Sequence, residues 1–105
     1  MNLREAARGR PCQIRIPGVC VDDRATTVLA HYRLNGGVGL KPPDICGAWA
    51  CSWCHDAVDR RTHLELEYEY VRHCHAEGVL RTLAALVAKG YQFERSREED
   101  AAAYD

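Results

Sequence analysis

Apolar residues are sparse over the first ten positions, which read as a short polar helix. Pro11 closes it, because a proline has no N–H to continue the ladder. Gln13-Ile-Arg-Ile16 then alternates polar and apolar as a strand does, until Pro17-Gly18 forces a turn between Cys12 and Cys20. The run "ATTVLAHYRL" is rich in β-branched residues and predicts a first strand, and "NGGVGLKPPD" predicts a long irregular loop. "ICGAWAC" suits a second strand returning beside the first. From Ser52 the pattern becomes helical and runs to about Arg61. Thr62 and Glu65 make a Thr-x-x-Glu capping box, so a new helix is expected from His63 or Leu64 to Lys89. Its apolar stripe would be Leu66, Tyr70, His73/Cys74, Leu80, Leu83/Ala84 and Val87, with Gly78 as a weak point and Gly90 as the stop.

These elements define an α+β protein with no internal repeat. At 105 residues the chain has room for one domain, placed at 1–93, with a knuckle and strand-pair core at about 11–62 and a packing helix at about 63–89. Residues 94–105 lack a periodic apolar face and are expected to form an acidic, mobile tail. With 47% hydrophobic and 28% charged residues, the composition argues against wholesale disorder.

The net charge of −1 conceals a polarity: residues 1–63 carry nine Lys/Arg against six Asp/Glu, and residues 94–105 five acids against two arginines. A basic front can face phosphates; it can equally be an ordinary mixed surface. No signal-like or membrane-spanning run is visible, which predicts a cytoplasmic protein without a membrane partner. In a reducing compartment the six cysteines are thiols or metal ligands; a secreted disulfide scaffold is the alternative.

Cys51-x-x-Cys54 at a strand-to-helix junction has metal-knuckle spacing. Cys12 and Cys20 would supply the second pair, their longer separation folded back by Pro17-Gly18, giving four sulfurs around one structural Zn²⁺. A redox Cys-x-x-Cys is the competing reading, although the βαβ alternation that usually carries one is missing. Cys46 and Cys74 are expected to be buried thiols, with Cys46 a replacement ligand should Cys12 or Cys20 fail.

His55 directly follows the second cysteine pair, and Asp59 lies one helical turn on, so the two can share a divalent cation or simply hydrogen-bond; His55 can equally be a fourth zinc ligand or a helix-capping side chain. His31 sits within the apolar "VLAHYR", where a packed core histidine and a catalytic one are both open.

A strand bearing a histidine, a loop, a second strand and a Cys-x-x-Cys-His helix together resemble an HNH-type (ββα-metal) endonuclease. The resemblance is closest to the small phage and prophage nucleases of the YbcO type. It is carried by "LREAARGRPCQIRIPGVC", "VLAHYRL", "KPPD" and "ACSWCHDAVDRRTH", which span most of residues 3–63. It implies a zinc-stapled ββα-metal core with an added long C-terminal helix, DNA as substrate, His31 as general base and His55 holding a catalytic Mg²⁺ or other divalent cation. Asp59 would be a second ligand, and Arg33, Arg60 and Arg61 could clamp phosphate oxygens, for which a forked guanidinium is suited. HNH enzymes carry an acidic residue or histidine before the base, where this chain has Ala30, and an asparagine before the knuckle, where it has Cys46. Asp44, His63 or the substrate would then complete the cation site. A non-catalytic zinc module binding nucleic acid or a phage protein is the second reading. The long helix could pack on its own domain or on a second copy, which makes a homodimer the oligomeric alternative.

Overall fold

The structure, a computed structural model, describes residues 2–34 and 42–92. Most of the glycine-rich loop and the whole acidic tail lie outside the described residues. The first helix, α1 (Leu3–Ala6), is a single turn capped by the Asn2 side chain, which accepts from the N–H groups of Arg4 and Glu5. Strands β1 (Val28–His31) and β2 (Gly47–Ala50) pair antiparallel, with His31 opposite Gly47 and Leu29 opposite Trp49. Helix α2 (Ser52–Val58) follows β2 through Cys51, and the long helix α3 (Tyr68–Ala88) packs across the pair.

Residues 13–16 do not form the expected strand. Arg15 adopts a left-handed φ of 55°, which breaks the extended run, and both Ile14 and Ile16 end up buried in the core. The segment is instead pinned to the free edge of β2. Gln13 N–H donates to the Trp49 carbonyl at 2.7 Å, and the Thr82 hydroxyl of α3 accepts from Trp49 N–H at 3.0 Å. Covering an open strand edge in this way satisfies groups that would otherwise be buried without partners.

The capping box does not form either. Helix α2 ends in a Schellman turn, with Arg60 N–H bonded to Ala57 O and Arg61 N–H to Asp56 O. Arg60 takes the left-handed position usually given to glycine, with φ 59°, and His63 follows with φ 54°. A left-handed His63 cannot lie in a helix, so α3 starts at Tyr68, about one turn later than the sequence implies.

The inner face of this helix is also rotated from the expected stripe. Leu80 and Val87 are 66% and 60% exposed, and the buried residues are Val71, Cys74, His75, Gly78, Thr82 and Leu86. Small and polar side chains line the inner face because the backbones approach closely there. A Cβ on Gly78 would come within 2.9 Å of Ile14 Cγ1 and 3.0 Å of Ile14 Cα. Gly78 is therefore a contact point in a continuous helix. Gly78→Ala should lower stability by about 1 kcal/mol or more, since the clash with backbone outweighs the helix-propensity gain of about 1 kcal/mol. A fall in the thermal midpoint checks this; a rise would show that the helix and knuckle separate freely.

Candidate metal centre and active-site cleft

Cys12 and Cys20 flank the pinned segment, Cys51 is the N-cap residue of α2, and Cys54 lies in its first turn. Their four sulfurs all lie within 4.8 Å of one another, and Cys20 Sγ to Cys51 Sγ is 3.9 Å. Tetrahedral Zn–S bonds of about 2.3 Å would put sulfurs about 3.8 Å apart, so the donor set and spacing fit one metal ion. Among the described residues this is the one group of three or more metal-ligating side chains. Cys12, Cys51 and Cys54 are buried. The thiols perturb each other strongly. A hydrogen bond from Cys54 draws the Cys12 pKa down to about 5, whereas burial and the neighbouring Cys12 charge push Cys20 up to about 12. The same Cys12 hydrogen bond, with burial, raises Cys54. One thiolate thus forms readily within the cluster, and a bound cation would favour ionisation of Cys20 and Cys54 beside it.

His31 closes β1, and its Nε2 lies 2.7 Å from Asp44 Oδ1. Asp44 stands in a short 3-10 turn just before β2, so strand pairing brings it across from a position thirteen residues away. Burial works to raise the Asp44 carboxyl. The His31 hydrogen bond and the Arg4 and His31 charges outweigh it and hold the pKa below the usual carboxylate value. A carboxylate only accepts, so Nε2 carries the proton in this bond, and in a neutral imidazole that arrangement leaves the lone pair on Nδ1. The His31 side chain is 19% exposed, and it is not sealed in the core.

His31 forms part of the wall of two clefts. One, of about 720 Å³, also contains His55, Arg4 and Arg8, so the two predicted histidines do line one hollow. The other, of about 420 Å³, is lined by Arg33, Asp59, Arg60, Arg61, Tyr68, Arg72 and His75 as well as His31. His55 Nε2 and Asp59 Oδ2 are 3.3 Å apart across one turn of α2, and Asp59 also pairs with Arg61 at 3.5 Å. Arg60 is committed to the scaffold, donating to the carbonyl oxygens of Leu64 and Leu66. His63 pairs with Glu65 and does not line either cleft. Cys46 is half-buried and Cys74 buried, both apart from the four-sulfur cluster.

His75 has a place at this site that the sequence pattern does not mark. It is buried on α3, and its Nε2 donates to the Ala30 carbonyl at 2.9 Å, directly before His31; its ring meets Tyr32 edge-on at 5.1 Å. The signal available for it is the i, i+4 spacing from Val71 and the position between Cys74 and Gly78 on the inner face. Burial is the main cause that lowers its pKa; the Ala30 bond and Asp59 act upward, Arg72 and His55 downward. A histidine held neutral in the folded state takes up its proton more readily when unfolded. Its contribution is whole above the unfolded pKa of about 6.5 and is lost as pH falls below it towards the folded pKa. His75→Gln keeps a donor without the titration, so its stability should fall less steeply than wild type between about pH 6.5 and 5. Identical slopes in parallel denaturation profiles would show that His75 is not held neutral by the fold.

A strand pair, a helix launched from a four-thiol cluster and a histidine–carboxylate pair at a cleft define a small α+β protein with a candidate metal knuckle. The chain belongs to the family described as "Putative nuclease YbcO", whose match spans residues 1–91. It is 52% identical over 91 residues to "Putative nuclease YbcO" of Escherichia coli strain K12, covering 85% of this chain and 94% of that protein. The same figures hold for the protein of that name from Enterobacteria phage 82. A solved structure described as "Structure of a putative bacteriophage protein from Escherichia coli str. K-12 substr. MG1655" superposes with a TM-score of 0.71 at 48% identity. That match covers 83% of this chain and 98% of the other.

Proposed function

We propose that the protein is a phage- or prophage-type endonuclease of the HNH (ββα-metal) kind that hydrolyses DNA phosphodiester bonds with a divalent cation. The observation that carries this reading is the His31–Asp44 pair at 2.7 Å on the wall shared by two basic clefts. Asp44 fixes the imidazole with Nδ1 unprotonated, and that nitrogen takes a proton from the attacking water. The family name supports action on nucleic acid.

His55 and Asp59 offer adjacent nitrogen and oxygen donors near the surface, a donor pair that suits a hydrated Mg²⁺ completed by waters and substrate phosphate. When bound, such an ion neutralises the phosphate and stabilises the leaving oxygen. Arg61 balances Asp59 and stands ready to contact a phosphate oxygen. The four cysteines hold a structural Zn²⁺ that fastens the pinned 12–20 segment to the start of α2.

Supercoiled plasmid should be nicked in Mg²⁺ or Mn²⁺ and left intact in EDTA brief enough to spare the zinc. Asp44→Asn should lower the nicking rate on the order of 10²- to 10⁴-fold, because an amide can donate to Nε2 and select the wrong tautomer. Unchanged nicking in this variant would remove the orienting role. A non-catalytic zinc module predicts DNA binding with no cleavage in any divalent metal.

A further inference from the structure

We infer that the cleft between β1 and α3 holds the phosphodiester backbone on one flank of the bond being cut, with Arg33 and Arg72 as its main cationic contacts. The inference rests on the proposed nuclease reading for the identity of the ligand as a nucleic acid strand. Four arginines and one aspartate line this cleft, and they are not equivalent. Arg60 is committed to backbone carbonyls and Arg61 is paired with Asp56 and Asp59. The Arg33 side chain, by contrast, has no hydrogen bond or ion pair among the described residues, although it lines the cleft.

Arg72 is preorganised. Its guanidinium lies 4.0 Å over the Tyr32 ring and gives Nη1 to the Arg33 carbonyl at 2.8 Å, and no acidic side chain among the described residues pairs with it. Stacking fixes the plane of the fork and leaves its other N–H groups for a phosphate. Two guanidinium charges held in one concave surface without carboxylate partners repel each other and gain from a polyanion. Because His31 belongs to both clefts, a strand laid across it runs from the Arg4 and Arg8 side to the Arg33 and Arg72 side. A free phosphate would need only one of these clefts; a strand uses both.

The test is binding, read by fluorescence anisotropy of a fluorescein-labelled DNA duplex on His31→Ala protein, with salt varied and no divalent cation. Arg33→Ala/Arg72→Ala should weaken binding at least tenfold and flatten the log Kd against log salt slope by about 1.8, because each neutralised phosphate contributes about 0.9. Lys89→Ala, at the far end of α3, should change neither. If the double variant folds poorly, Arg33→Ala alone suffices, because its side chain makes no hydrogen bond or ion pair with any other described residue; its slope should fall by about 0.9. An unchanged slope in either variant overturns the inference. Wild type that binds in this manner but never cuts would remove the nuclease reading and leave the cleft assignment standing. Cutting together with an unchanged slope would remove the cleft assignment alone.

Discussion

Cys54→Ser protein is expected to lose the proposed zinc and, with it, the fold of the front half. Cys54 is wholly buried at the start of α2, and its sulfur sits in a cluster drawn from two segments far apart in the chain. Residues 12–20 have no regular secondary structure. Apart from Ile14, Ile16 and Val19 in the core, they are held by single hydrogen bonds such as Cys12 N–H to Asp22 at 2.8 Å and Arg81 to the Gln13 carbonyl at 2.7 Å. A structural zinc contributes about 10–16 kcal/mol of apparent binding free energy, comparable with or larger than the whole stability of a small domain. Serine is a poor zinc ligand, so most of that stabilisation disappears. The variant should contain well under one zinc per chain and show rapid amide exchange across residues 12–20 and α2, and chelation of the wild type should do the same. A Cys54→Ser protein with native exchange protection would show that apolar packing alone holds the knuckle.

His31→Ala should abolish cleavage while leaving the metal and the fold in place. The side chain lies at the end of β1, partly exposed, and its polar contact is with Asp44, itself about one-third exposed. The strand pairing that it belongs to is carried by backbone, including Tyr32 N–H to Cys46 O at 2.9 Å, and alanine preserves it. Loss of a general base costs on the order of 10²- to 10⁴-fold in rate. Stability should move by less than in Cys54→Ser, because His31 lies outside the four-sulfur cluster and the strand pairing around it is made by backbone.

The strand pair and the four-cysteine cluster are legible in the sequence because each rests on local pattern. β-Branched residues and Cys-x-x-Cys need no partner to be recognised, and even the long Cys12 to Cys20 spacing is readable through Pro17-Gly18. Alternation at Gln13 to Ile16 misleads, since burial of both isoleucines is achieved by a left-handed Arg15 and not by a strand. The inner face of α3 is hidden by its chemistry. Gly78 is there for close approach, Thr82 for a strand-edge N–H and His75 for a carbonyl, and none of these registers as hydrophobic. Leu80 and Val87 draw the apparent stripe outward. Asp44 reads from sequence only as a spare cation ligand, because its bond to His31 exists through the β1–β2 register and the intervening turn, which spacing alone does not reveal.

The proposed role of His31 as a base can be measured directly. The experiment is nicked-circle formation from supercoiled plasmid in Mg²⁺ and Mn²⁺, with wild type beside His31→Ala of equal zinc content and equal thermal midpoint. Wild type should nick, and the variant should do so at least a hundredfold more slowly. Equal rates from the two proteins would contradict a base at position 31.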